Sequence, residues 1–262
     1  LPIWGVENKD LYFQNITEFN KIMRYTEKAM VFINGVQDVL DGLKPKIYSK
    51  NLLDLDKKSE EYGANKIETN EYLKYLLALS PTAIVNNQGR FKNITLLQET
   101  TELEKIINQD NVKQESQKLL SSLQNTLSQK GNKTEIEVLL GKATLFKDQK
   151  ISPFSFYSYL SETADRYLKE EMINYSGLMQ FVGYLKKVNS LDSVKLFNEV
   201  DELSYDVKNA ISVNEDQRLL TKSLRHIKLL GNFFNLKLSN EELDYYLADK
   251  EQWTAGWFKT AV

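Results

Sequence analysis

One arrangement of residues occurs three times along the chain and limits what it can fold into: an aromatic, three residues, a lysine, an aliphatic residue, four residues, an apolar residue, two residues, then Tyr-Leu. The first copy is Tyr62, Lys66, Ile67, Tyr72, Tyr75 and Leu76. The second is Phe146, Lys150, Ile151, Phe156, Tyr159 and Leu160, and the third Phe233, Lys237, Leu238, Leu243, Tyr246 and Leu247. The first two copies stand 84 residues apart, a fixed offset of the kind that marks an internal repeat. Between them Leu55 aligns with Leu139, Phe91 with Tyr175, Ile94 with Leu178, Leu97 with Phe181, and Leu119 with Leu203.

Each copy reads as a helix–turn–helix corner. The aromatic sits in the last turn of one helix, and the aliphatic residue after Lys is placed to pack against the start of the next. Ser152 followed by Pro153 is a capped helix start. Ser239 with Glu242 three residues on has capping-box spacing. These frame residues are read as hairpin core, and the lysine as an exposed turn residue or a cation at a helix C-terminus.

The rest of the chain agrees with this reading. Apolar residues recur at helical spacing, and no stretch shows the alternation of a strand. The run from Leu11 through Ile16, Phe19, Met23, Ile33, Val36, Leu40 and Leu43 predicts one long helix stopped by Gly42 and Pro45. Helices are expected over 48–62, 69–79, 94–107, 112–127, 134–146, 153–167, 178–188, 194–211, 216–234 and from 241 onward, with a loop at Asn86-Asn87-Gln88-Gly89. The predicted fold is all-α, with about ten to twelve helices in antiparallel hairpins. Its segments are an extended lead and long helix (1–47), a first repeat unit (48–131), a second (132–215), and a terminal half-unit with an aromatic tail (216–262).

Composition removes many functions. With no Cys among 262 residues, disulfides, thiolate metal sites, iron–sulfur clusters and a Cys nucleophile are excluded. The single His226 has Ser223 three residues before it, so the Glu-x-x-His pairing of helical di-metal sites is absent. Asp54-x-Asp56 and Asn214-x-Asp216 lack the glycine and closing glutamate of a calcium loop, and read as solvated helix ends. Gly141-Lys142 lacks the upstream glycine of a phosphate loop and falls inside a helical pattern. There is no Gly-x-Ser-x-Gly elbow.

A formal charge of −2 and five scattered arginines argue against nucleic-acid binding. Lys222, Arg225, His226 and Lys228 form the one basic helical face, read as solvated. No catalytic, cofactor or metal residue is assigned. No apolar run reaches the roughly 18 residues of a membrane helix. The start at Leu1, without Met, reads as a processed chain or a cut fragment, and with the absence of Cys it leans toward the cell envelope or secretion. Trp253, Trp257 and Phe258 fall outside the frame: with Trp at i and i+4 they are read as folding back onto the last hairpin, or otherwise as an exposed anchor for a partner, a second copy or a membrane surface.

The opening Trp4-Gly5-Val6-Glu7-Asn8-Lys9-Asp10-Leu11-Tyr12, the segment Ile47-Tyr48-Ser49-Lys50, the Lys-aliphatic corners and Asn214-Glu215-Asp216-Gln217-Arg218 resemble a set of bacterial proteins. In them a TraB/ChaN-like domain runs into a long helical region, and the resemblance covers that helical region only. It implies an accessory or regulatory role beside a hydrolase-like domain upstream, and no catalytic residue within this chain. The leading expectation is a non-catalytic helical scaffold or protein-interaction module, able to bind a protein partner or to self-associate. Peripheral membrane attachment through the Trp cluster is the further alternative.

Overall fold

The computed structural model describes residues 8–80 and 89–249. The described residues are all-helical and contain no strand. Eleven α-helices follow one another among them: α1 (Lys9–Ile47), α2 (Lys50–Gly63), α3 (Thr69–Leu79), α4 (Lys92–Ile106), α5 (Gln109–Gln129), α6 (Lys133–Lys147), α7 (Pro153–Tyr167), α8 (Ser176–Ser190), α9 (Ser193–Ile211), α10 (Glu215–Phe234) and α11 (Asn240–Asp249). A 3-10 segment, Lys169–Tyr175, which periodicity does not reveal, leads into α8.

The starts follow local chemistry. Asn8, Ser49, Asn108, Asn132, Ser152 and Asn214 each accept a hydrogen bond from a backbone N–H of the first turn. Ser239 and Glu242 close the expected capping box, with hydrogen bonds of 3.1 and 2.9 Å between each side chain and the other's N–H.

Contrary to the sequence expectation, α1 is not stopped by Gly42 and Pro45 but runs through both to Ile47. Proline removes one N–H from the ladder, yet Leu40, Leu43 and Ile47 pack against a buried cluster of Tyr48, Leu52 and Leu220. That apolar burial holds the last turn helical, and Pro45 itself is exposed.

The chain divides into two compact units, residues 1–81 with 203–262, and residues 82–202. In the first, α1 lies antiparallel to α10: Thr26 Oγ1 donates to the Phe234 carbonyl, and Gln217 Nε2 to the Ile47 carbonyl. The second has a continuous core built from Leu119, Leu123 and Leu127 of α5, Leu139 of α6, Phe156 and Leu160 of α7, and Leu178, Phe181 and Val182 of α8. Helix α9 gives its first turns to the second unit and the remainder to the first.

Candidate interaction surface

The three corners share one backbone geometry. Asn65, Gln149 and Leu236 have φ of 54°, 57° and 55°, the left-handed region. Around each, three backbone bonds repeat. At the first corner Ala64, Asn65 and Lys66 donate to Glu60, Tyr62 and Glu61; at the second Asp148, Gln149 and Lys150 donate to Thr144, Phe146 and Leu145; at the third Asn235, Leu236 and Lys237 donate to Gly231, Phe233 and Asn232. This is the Schellman closure, which satisfies the last carbonyls of a helix. Each frame lysine (Lys66, Lys150, Lys237) is exposed, and each following aliphatic (Ile67, Ile151, Leu238) is half-buried. Tyr62 stacks on Tyr72 at 4.6 Å, Phe146 on Phe156 at 4.4 Å, and Phe233 on Tyr246 at 5.9 Å. Tyr75 and Tyr159 are half-buried. A shallow depression of about 380 Å³ at the second corner, lined by Phe146, Gln149, Lys150, Ile151, Ser152 and Pro153, brings together no acid–base pair.

Two expectations about charged residues are corrected. Asp56 is not at a solvated helix end: it is buried within α2, where its carboxylate accepts 2.6 Å hydrogen bonds from Lys44 and Lys208. Burial alone would raise its pKa, but the charge and hydrogen bonds of the two ammonium groups hold it below the ordinary 3.8. Burial likewise opposes the charge on Lys44, and hydrogen bonds to Asp41 and Asp56 more than reverse this, so Lys44 titrates above an ordinary lysine. Asn214 and Asp216, in contrast, do stand at a helix start, with Asn214 as the cap of α10.

The basic face on α10 is not solvated either. The Arg225 guanidinium lies 4.0 Å from the Tyr205 ring and 4.2 Å from the Tyr245 ring, a cation held between two π faces. His226 is buried edge-on to Tyr245. Lys222 is half-buried, and only Lys228 of the four is exposed. The face turns inward because α11 packs against α10 there.

Two carboxylates that periodicity could not single out reach other helices. Glu115 of α5 accepts from the Leu178 N–H at 2.7 Å, at the start of α8. Glu199 of α9 accepts from the N–H groups of Asn93 and Ile94, and from Asn93 Nδ2, at the start of α4. Each places negative charge on the positive end of a helix. The usable signal was their spacing: Glu115 and Glu199 differ by the same number of residues as Ile94 and Leu178.

Apolar surface is concentrated on α1. Tyr12, Ile16, Phe19 and Met23 are spaced four, three and four residues apart, one continuous stripe, and are between 38% and 49% exposed. On another face of the helix Val31, Phe32 and Val39 are 72%, 61% and 65% exposed. Leu247 of α11 is also exposed. Trp253, Trp257 and Phe258 lie outside the described residues, as does the extended lead over 1–6. Among the described residues no group of three His, Asp or Glu side chains could hold a metal ion, and no helix is long and apolar enough to cross a membrane. Comparison with protein families, with curated proteins and with solved structures finds no match to the chain.

Proposed function

We propose that the chain is a non-catalytic helical-repeat module that binds a protein partner by taking an amphipathic helix onto α1 and α11. One observation carries this reading. In the frame's terminal position Leu76 and Leu160 are fully buried, whereas Leu247 is 52% exposed. In the second unit the helix that covers this region is α8, which packs on both α5 and α7.

The same offset brings α1 into the comparison. Phe32 and Val39 stand about 84 residues before Ser116 and Leu123 of α5, and about 168 before Val200 and Val207 of α9. All four of those residues are buried, while Phe32 and Val39 are largely exposed. The segment Thr17-Glu18-Phe19-Asn20-Lys21-Ile22-Met23 also resembles Thr101-Glu102-Leu103-Glu104-Lys105-Ile106-Ile107 at this offset, which extends the repeat into α1. On this reading α1, α10 and α11 are three helices of a four-helix group in which no described residue takes the fourth place.

Helix α8 gives the direction of the missing helix. Its start meets Glu115, while Tyr175 just before it donates to Ser122 Oγ at 3.3 Å, so α8 runs antiparallel to α5. The bound helix therefore runs antiparallel to α1, with apolar residues at i, i+3, i+4 and i+7 facing Val31, Phe32 and Val39. It supplies its own N-cap, because Val31 stands where α5 carries Glu115.

A photo-cross-linking residue in place of Val39, compared with one in place of the exposed Lys118 on α5, tests this in the cells that make the protein. The expected result is a cross-linked partner at position 39 that disappears in Phe32→Lys. Identical products at both positions would exclude the reading.

A further inference from the structure

Within the first unit, the contacts between α1 and α10 recur between α9 and α2 with the roles of the helices exchanged. On α1 and α10, Ile33 lies beside Gly231, and the Ile47 carbonyl accepts from Gln217. Midway between these pairs Leu40 stands level with Leu224, and both pack on the cluster of Tyr48, Leu52 and Leu220. Twice the 84-residue offset carries Leu40 to Lys208 and Asp56 to Leu224. Lys208 and Asp56 are themselves in contact, at 2.6 Å. The same step carries Val36 to Ser204 and Ser59 to Ile227, and Ser204 Oγ lies 3.4 Å from Ser59 Oγ.

Residues on a two-fold axis meet their own equivalents, and two such pairs occur here. Leu52 and Leu220 share one buried cluster at this doubled offset, and Leu43 and Ile211, at the same offset, both pack on it. These are the marks of an isologous interface, in which i meets j and j meets i. Resting on the same repeat as the helix-binding reading, we infer that α1–α2 and α9–α10 recognise each other as equivalents. They close the first unit as a clasp with a local two-fold axis, and a helix pair of the same repeat is the partner this face takes.

The clasp departs from symmetry in one respect, and the departure selects the partner. On one side of the axis Asp56 meets Lys208, while the equivalent place on the other side holds Leu40 and Leu224. A helix pair fits only where charge meets charge and leucine meets leucine. The middle pair, α5–α6, fails this condition. Gln124 stands at the place of Leu40 and Lys208, and Glu137 at the place of Leu53 and Thr221. Clasping would bury both polar groups against leucine. Both are exposed, and Leu140, at the place of Asp56 and Leu224, is 45% exposed. Helices α1–α2 therefore pass over the neighbouring repeat in sequence and take the one after it.

Moving the ion pair across the axis tests the clasp. In the full chain, Asp56→Leu with Lys208→Leu makes the charged side resemble the apolar one, and Lys44 keeps Asp41. Into this background Leu40→Lys and Leu224→Asp are placed singly and together, and the folding equilibrium constants are read by urea unfolding. The two new charges should rescue each other at least tenfold relative to the product of the single effects. Additive losses would overturn the proposal. Oxidation gives a second reading that does not depend on stability, because the chain has no Cys. Val36→Cys with Ile227→Cys should close a disulfide within one chain, as should Ser59→Cys with Ser204→Cys. A pair at 36 and 227 that stays reduced while the pair at 59 and 204 closes would also overturn it. None of these substitutions alters Val31, Phe32 or Val39. An intact clasp without the partner cross-link at position 39 removes only the helix-binding reading, and the cross-link without the rescue removes only the clasp.

Discussion

Lys208 donates a 2.6 Å hydrogen bond to the carboxylate of Asp56, tying α9 to α2 across 152 positions of sequence. Lys44 binds the other carboxylate oxygen, also at 2.6 Å, so one buried anion holds two cations from helices on either side of it in the sequence. Removing the anion leaves two partly buried ammonium groups with weaker compensation; Lys44 retains Asp41. Asp56→Asn is expected to destabilise the chain by about 2–3 kcal/mol, measured by urea unfolding at neutral pH. The sign with pH follows from the lowered pKa: the stabilisation is fully present above the ordinary value of 3.8 and is lost as pH falls through the lower folded value. Wild type and variant should therefore converge in stability as the pH falls below the ordinary 3.8. A gap that stays constant over that range would show that Asp56 acts through packing and not through charge.

The corner residues allow a prediction in the opposite direction. Gln149 and Leu236 hold a left-handed conformation that penalises any side chain with a Cβ, and Asn65 occupies the same conformation at lower cost. Each of the three closes a helix where glycine is the usual residue. Gln149→Gly and Leu236→Gly are expected to stabilise by about 0.5–1 kcal/mol each, and Asn65→Gly by less. Thermal unfolding of the three variants orders them; equal or negative shifts at Gln149 and Leu236 would refute the argument.

The helices and their corners were legible because both are local. Capping residues and the Pro153 start act within one or two turns, and 69–79 and 153–167 match their helices to the residue. Pro45 misled for the converse reason: its local effect was outweighed by the burial of Leu40, Leu43 and Ile47, which depends on α10, about 170 residues away. The burial of Asp56 and His226 and the half-burial of Arg225 were hidden in the same way, since a charge on a helix looks solvated until its neighbouring helix is known. Spacing alone also could not mark the exposed faces of α1, because an apolar stripe reads identically whether or not another helix covers it.

Glu199 and Glu115 do similar work at two helix starts, but unequally. Glu199 accepts from two backbone N–H groups and from Asn93 Nδ2, whereas Glu115 accepts from one backbone N–H and from Asn111 Nδ2. Glu199→Ala is expected to cost about 2 kcal/mol and Glu115→Ala about 1. Gly177 belongs to the second site, for a Cβ there would lie 2.5 Å from Asn111 Nδ2 and 3.3 Å from Glu115 Oε1. Gly177→Ala should therefore destabilise wild type, and less so a chain already carrying Glu115→Ala. A double-mutant cycle checks this; additive losses would mean the two residues do not share a site.

The last prediction compares chemically identical substitutions at the terminal leucine of each frame. Leu76 and Leu160 are both fully buried, and truncating either to Ala removes three carbons from a packed core. Such changes cost about 2–5 kcal/mol. Leu247 is more than half exposed, so Leu247→Ala removes little buried contact and should stay within about 0.5 kcal/mol of wild type. Unfolding of the three variants under one condition gives the comparison. If an amphipathic helix occupies the open place beside α11, Leu247→Ala should then weaken that complex while sparing the free chain, because the leucine would be buried only on binding. A Leu247→Ala chain as destabilised as Leu160→Ala would mean that the third frame is already closed within the single chain, and the proposed fourth-helix place would not exist.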